Sequence, residues 1–216
     1  ATQAIFTIIS SFINKNDEVI IFKPAYDCYE PAIQLNKGKP IFIQLEAPNY
    51  KVNWQEVKGK ITSKTKMIII NTPHNPTGTI MTGQDMVQLE KILDNSDILV
   101  LSDEVYEHIL FDGYEHQSVA RFPKLAERSF IVSSFGKTYH TTGWKIGYCL
   151  APEKLMTEFR KTHQYNVFSV HTPSQQAYAE FLKFEDEYLN LRYFYQNKRD
   201  LFKSSIKESR FSCYQT

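Results

Sequence analysis

Apolar positions along the chain follow two periods. Short β-branched runs alternate with longer stretches of 3.6-residue period, the pattern of a sheet with helices packed on it. Strands are predicted over Glu18–Phe22, Pro40–Leu45, Lys66–Asn71, Asp97–Ser102, Ser129–Ser133 and Lys145–Ala151. Most are apolar on both faces, as strands covered on both sides are. Between them, Thr2–Ile13 sets Ile5, Ile8, Ile9 and Phe12 on one helical face. Thr82–Leu93 does the same with Met86, Leu89, Ile92 and Leu93, and Thr82 is placed to cap that helix. From Pro152 the strand pattern stops, and Glu153–His163 and Pro173–Phe211 read as mainly helical. The fold class is α/β. No repeat, linker tract or block of like charge divides the chain.

Composition narrows the function classes. The 216 residues are 42% hydrophobic and 23% charged, with Gly 8 and Pro 9, which excludes low-complexity disorder and collagen. Lys+Arg 25 against Asp+Glu 24 leaves a net charge of +1. Nucleic-acid and membrane-surface binders carry a concentrated basic excess, so no nucleic-acid or membrane partner is expected. Cys28, Cys149 and Cys213 are odd in number and far apart, which points to a reducing, cytoplasmic setting without a disulfide framework or structural zinc. The longest apolar runs, such as Met67–Ile70, are 4 residues; a membrane span needs about twenty. The six histidines lack H-E-x-x-H spacing, so no metal is expected. The chain starts at Ala1 inside an apolar-periodic stretch, and an upstream segment is expected to precede it.

The sharpest chemical segment is Ser133-Ser134-Phe135-Gly136-Lys137-Thr138, a hydroxyl-rich loop with one lysine directly after a predicted strand. Gly136-Lys137-Thr138 matches the end of a phosphate-binding P-loop, but that motif requires glycine where Ile131 stands. A second reading is a Schiff-base lysine beside small and hydroxyl neighbours that admit a phosphorylated aldehyde. A third is an ordinary surface lysine. Two further segments follow buried strands: Asn71-Thr72-Pro73-His74-Asn75-Pro76-Thr77-Gly78 and Ser102-Asp103-Glu104-Val105-Tyr106. Pyridoxal phosphate needs a carboxylate on its ring nitrogen, donors to its phenolic oxygen and a cradle for its phosphate. Asp103 can supply the first, Asn75 and Tyr106 the second, and Ser134 and Lys145 the third.

In family order, Asn75-Pro76-Thr77-Gly78, Asp103-Glu104-x-Tyr106, Ser134-x-x-Lys137 and Gly143-Trp144-Lys145-x-Gly147-Tyr148 resemble the fold type I pyridoxal-phosphate aminotransferases of class I/II. The resemblance runs through all 216 residues. Tyr26-Asp27-Cys28-Tyr29-Glu30-Pro31 and Ser133–Tyr148 look most like methionine and kynurenine aminotransferases, the methionine type being favoured. The resemblance implies a three-layer large domain, with a mostly parallel mixed sheet between helices and a chain truncated at both ends. Residues 1–165 would be the cofactor-binding core, and 166–216 a helical continuation toward a small domain that is mostly missing.

It also implies roles. Lys137 becomes the Schiff-base lysine and proton carrier, and Asp103 the pyridinium partner. Asn75 and Tyr106 would bond the phenolic oxygen, Tyr26 would stack on the ring, and Ala1 and Thr2 would offer backbone N–H groups to the phosphate beside Ser134 and Lys145. Lys145 stands where the wider family more often has Arg, a point charge in place of a bidentate fork. The implied activity is transamination between an amino acid, methionine or aromatic by preference, and a 2-oxo acid, in a homodimer with shared active sites. Cysteine-conjugate β-elimination on the same site, or a non-catalytic cofactor-binding fragment, are the alternatives. The arginine that clamps the substrate carboxylate in the family has no counterpart among Arg121, Arg128, Arg160, Arg192, Arg199 and Arg210.

Overall fold

Strands and helices alternate along residues 1–214, the part of the chain that this computed structural model describes. In chain order they are α1 (Thr2–Phe12), β1 (Glu18–Lys23), α2 (Tyr29–Leu35), β2 (Lys39–Gln44), α3 (Trp54–Lys60), β3 (Thr65–Asn71), α4 (Gly83–Leu93) and β4 (Leu99–Asp103). There follow α5 (Pro123–Ala126), β5 (Ser129–Ser134), α6 (Phe135–Thr138), β6 (Gly147–Leu150), α7 (Glu153–Asn166), α8 (Thr172–Phe181), α9 (Asp186–Leu189) and α10 (Leu191–Ser205).

The strands form one sheet of order β2-β1-β3-β4-β5-β6. β1 to β5 are mutually parallel, and β6 runs antiparallel to β5. Alternation along each strand sends side chains to opposite faces. Val19, Ile21, Met67, Ile69, Leu101, Phe130 and Val132 pack with Ile5, Ile8 and Ile9 of α1, Ile33 of α2 and Phe159 of α7. Ile20, Ile68, Ile70 and Val100 face the other way, onto Val57 of α3, Met86 and Leu89 of α4 and Leu125 of α5. The result is three layers, helices over both faces of a mostly parallel mixed sheet. Truncating a fully buried strand residue such as Ile68 to Ala would cost about 2–5 kcal/mol.

The expected strands are all present, with ends displaced by one or two residues. β6 begins at Gly147 rather than Lys145, because Lys145 adopts a left-handed backbone, φ +58°, at the end of the 3-10 turn Thr142–Trp144. Thr82 caps α4 through a reciprocal pair with Asp85. The long helical stretch expected over Pro173–Phe211 is three helices, α8 to α10, and helix ends at Ser205. Among the described residues, no helix is long and apolar enough to cross a membrane.

The connectivity also fixes where a ligand can sit. From β1 the chain moves to β2 on one side, then returns to β3 on the other, so helices leave in opposite directions at the β1/β3 boundary. Open α/β sheets bind ligands in the crevice that such a reversal opens beyond the carboxyl ends of the strands. Tyr26 follows β1, Asn75 follows β3, Tyr106 follows β4 and Lys137 follows β5.

Candidate active site

Asp103 is the last residue of β4 and is 4% exposed. Its Oδ2 accepts the Tyr29 hydroxyl at 2.5 Å and its Oδ1 accepts the Val105 amide at 3.2 Å. Burial raises the Asp103 carboxyl above its ordinary value, and these two donors only partly oppose it. Burial also pushes the Tyr29 phenol well above its usual range, with the Asp103 charge adding to the effect, so the proton stays on Tyr29. A carboxylate desolvated in this way gains most from a cationic partner.

The turn carrying Asn75 is tied to that carboxylate's strand. Asn71, ending β3, donates Nδ2 to the Asp103 carbonyl at 2.9 Å and accepts the Asn75 amide on Oδ1 at 2.7 Å. The His74 amide donates to Thr79 O at 2.8 Å and Gly78 N to His74 O at 2.7 Å, with Gly78 at φ +73° closing the turn. His74 Nδ1 lies 2.7 Å from Thr77 Oγ1. Burial lowers its pKa to about 4, which leaves the ring neutral near pH 7.

Lys137 is half-buried on α6, a single turn directly after β5, with Nζ over the Tyr106 ring 5.8 Å from its centroid. Burial, then the Asp103 charge, raises the Tyr106 phenol. The β5–β6 register sets Ser134 opposite Gly147. A Cβ at Gly147 would fall 2.5 Å from Ser133 O and 2.9 Å from Ala1 N, so glycine here admits the start of α1 against the strand pair. The first turn of α1 has no side-chain cap and no acid, and its amides are available to an anion. Thr2 Oγ1 and Tyr26 OH are 3.0 Å apart, and the Tyr26 ring meets Tyr29 edge-on at 5.7 Å.

The structure thus brings Tyr26, Asn75, Asp103, Tyr106, Ser134 and Lys137 to the carboxyl edge of the sheet, with Thr2 against Tyr26, Ala1 N against Gly147 and Lys145 near Ala1 N. The donor set fits a phosphorylated cationic ring: an acid for the ring, an uncapped helix start and a lysine for the phosphate, and an amine for the aldehyde. Sequence reasoning missed Tyr29 and Asn71 as supports, although both lie inside segments it singled out. It also missed the network behind the site. Glu104, 1% exposed, accepts Ser102 Oγ at 2.8 Å and Val119 N at 3.2 Å, and pairs with His116 Nε2 at 2.7 Å. Glu107 accepts Ser133 Oγ at 2.8 Å and Tyr148 OH at 2.7 Å, bolting β5 to β6. Ligand atoms of Glu104, Glu107 and His116 lie within 4.8 Å of one another, but the protein's own donors already occupy both carboxylates. A groove of about 930 Å³ between Tyr50, Trp54, Asp85 and Phe111 borders this site through Asn71, His74 and Gly78.

A family model described as aminotransferase class I and II matches residues 1–216. The chain is 47% identical over 211 residues to the methionine aminotransferase of Escherichia coli (strain K12), spanning 97% of this chain and 55% of that protein. It is 36% identical over 200 residues to human kynurenine–oxoglutarate transaminase 1, spanning 88% and 47%. A solved E. coli structure whose reactivity identifies a methionine aminotransferase function superposes with a TM-score of 0.96 at 45% identity, covering 100% of this chain and 58% of that one. The chain therefore spans about half the length of the curated relatives it matches.

Proposed function

The chain belongs to the class I and II aminotransferases, and from this premise we infer that it forms the cofactor-binding core of a pyridoxal-phosphate-dependent transaminase, which moves an amino group between an amino acid and a 2-oxo acid. Residues 1–165 are the core and 166–216 its continuation toward the small domain. When bound, the cofactor supplies an aldehyde for the amino group and a sink for the electron pair left at the substrate α-carbon. The protein's own groups do the rest. Asp103 would hold the proton on the ring nitrogen, with Tyr29 and Val105 holding Asp103. Asn75 and Tyr106 would donate to the phenolic oxygen, and Tyr26 would pack on the ring. The amides of Ala1 and Thr2, with Ser134 and Lys145, would hold the phosphate. Lys137 Nζ would hold the aldehyde and serve as the base that carries the proton of the substrate α-carbon.

The observation that carries this reading is the placement of a desolvated carboxylate, Asp103, at the end of β4 and a half-buried lysine, Lys137, directly after the neighbouring β5, with the Tyr106 ring beneath the lysine. Methionine and aromatic donors are favoured by the relatives named for methionine and kynurenine. Tyr165 and Phe168, 88% and 86% exposed, support a homodimer that covers them. The free thiols Cys28, Cys149 and Cys213 support a cytoplasmic setting. Borohydride reduction of the pyridoxal-phosphate-loaded protein, followed by peptide mapping, is expected to place the cofactor on Lys137. A Lys137→Ala protein that still fixes cofactor and turns over normally would overturn the assignment.

A further inference from the structure

The last helix reaches back over the site. α10 presents Tyr195 to the loop that follows α6, where the Tyr195 hydroxyl and His140 Nε2 lie 2.8 Å apart. Phe194 and Tyr195 both flank the His140 ring, with centroids at 5.9 Å. Four residues on, Arg199 donates to both oxygens of Asp112, at 2.7 and 2.6 Å, and its guanidinium covers the Phe111 ring at 4.5 Å. Gln196 Oε1 accepts the Asp112 amide at 2.9 Å. One helix thus grips two loops. The first continues from α6, with Lys137 three residues before His140; the second carries Tyr106, six residues before Asp112.

The sheet fixes the base of each loop, through Glu107 to Ser133 and Tyr148 for the second and through the β5–β6 ladder for the first, and leaves the outer parts of both to other contacts. α6 is a single turn, and His140 beyond it sits at φ +57°, a left-handed backbone that costs any residue with a side chain. Such a conformation persists where surroundings over-determine it, and the Tyr195 contact is the restraint α10 provides there. Tyr195 also lies close enough to Tyr106 for that ring to raise its phenol, after burial as the larger cause. The Arg199–Asp112 pair is a bidentate fork, and Arg199 also donates to Asp200 at 2.9 Å, so the second grip holds orientation as well as charge.

We propose that α10 is a latch on the cofactor site, in which Tyr195 and Arg199 are positioning residues that set the Lys137 loop against the Tyr106 loop. The helix acts on the reaction without touching the reacting atoms. The proposal rests on the reading of Lys137 as the cofactor lysine, and its test separates the two.

Tyr195→Phe keeps the ring contacts and removes the hydroxyl; His140→Ser removes the same contact from the other side, and Arg199→Lys keeps charge without the fork. In the holoenzyme, Tyr195→Phe is expected to speed pyridoxal-phosphate dissociation by about two- to five-fold, the lower range of one neutral hydrogen bond. It should also displace the pH profile of the bound cofactor's absorbance and lower kcat while leaving KM within about two-fold. Without cofactor, amide exchange across residues 138–141 should accelerate in both Tyr195→Phe and His140→Ser, and exchange across 107–114 in Arg199→Lys. If borohydride fails to label Lys137 in the parent protein, the functional reading falls and the exchange data alone decide the latch. If the parent is labelled but the variants match it in dissociation, pH profile and exchange, the latch is wrong and the functional reading stands.

Discussion

Replacing Asp103 by Asn separates the cost of a buried charge from its use. The carboxylate is 4% exposed and has two donors, the Tyr29 hydroxyl and the Val105 amide. Burying an ion costs several kcal/mol even after relaxation, and each hydrogen bond to a charged group returns about 1.5–3 kcal/mol. The raised carboxyl pKa indicates that desolvation wins. The balance therefore lies against the ionised folded state. Asparagine has the same shape, keeps a carbonyl oxygen for Val105 N, turns its NH2 toward the Tyr29 hydroxyl, which then accepts instead of donating, and has no charge to desolvate. At about pH 8 the cofactor-free variant is therefore expected to be the more stable protein by about 1 kcal/mol, or about 2–4 °C in Tm for a chain of this size. The folded carboxyl titrates above its ordinary 3.8, so the parent's stability is complete below that value and falls as pH rises through the folded one. The advantage of the variant should accordingly shrink toward acid pH. Pyridoxal phosphate should reverse the order, since only the carboxylate matches a protonated ring nitrogen, and turnover of the variant should fall by about 10²–10³-fold. Urea unfolding of both proteins from about pH 4.5 to 8.5, with and without cofactor, checks this. A variant less stable than its parent by the same amount at every pH would refute the reasoning.

Gly147→Ala places a methyl 2.5 Å from Ser133 O and 2.9 Å from Ala1 N, and should cost about 1–3 kcal/mol by urea unfolding while weakening cofactor retention. Parent-like retention would show that α1 is not seated through this contact. Glu104→Gln replaces the buried carboxylate that accepts Ser102 Oγ and Val119 N and lies 2.7 Å from His116 Nε2, and a loss of about 1–3 kcal/mol is expected from unsettling this network; a melting curve superposable on the parent's would contradict it. Burial raises the Cys28 and Cys149 thiols to about 12, whereas Cys213 is exposed. Iodoacetamide at about pH 8 should alkylate Cys213 first and reach the other two only on unfolding, because the thiolate is the nucleophile.

How far the sequence could be read depends on the range of each signal. The uninterrupted Met67–Ile70 run marks a strand buried on both faces, and β3 lies inside the sheet with β1 and β4 on either side. Thr82 followed by Asp85 is a local capping pair and needed no tertiary information. α2 escaped because Pro31 reads as a breaker, yet in a first turn its missing N–H would have had no partner anyway. α3 buries only Val57, so no apolar stripe betrays it; its Asn53 cap is the one local cue. At the candidate site, the residues proposed at strand ends stand out because hydroxyl, acid and lysine follow apolar runs abruptly. Tyr29 does not, since its partner Asp103 lies 74 positions away. The same holds for Glu107, whose two donors, Ser133 and Tyr148, meet only because β6 turns back on β5.

That turn-back has an entropic consequence. Ser134 and Gly147 face each other across the β5–β6 ladder, with Glu107 riveting the next pair, Ser133 and Tyr148. Residues 135–146 are therefore a closed ring of chain, with Lys137 on the outgoing limb and Lys145 on the returning one. Closing a flexible loop of that length costs about 2 kcal/mol. The sheet has met that cost before any ligand arrives, so a small molecule spanning the two amines finds both already gathered. The geometry of the ring is thereby coupled to the integrity of a four-residue strand: fraying of β6 would slacken both ends of the ring together.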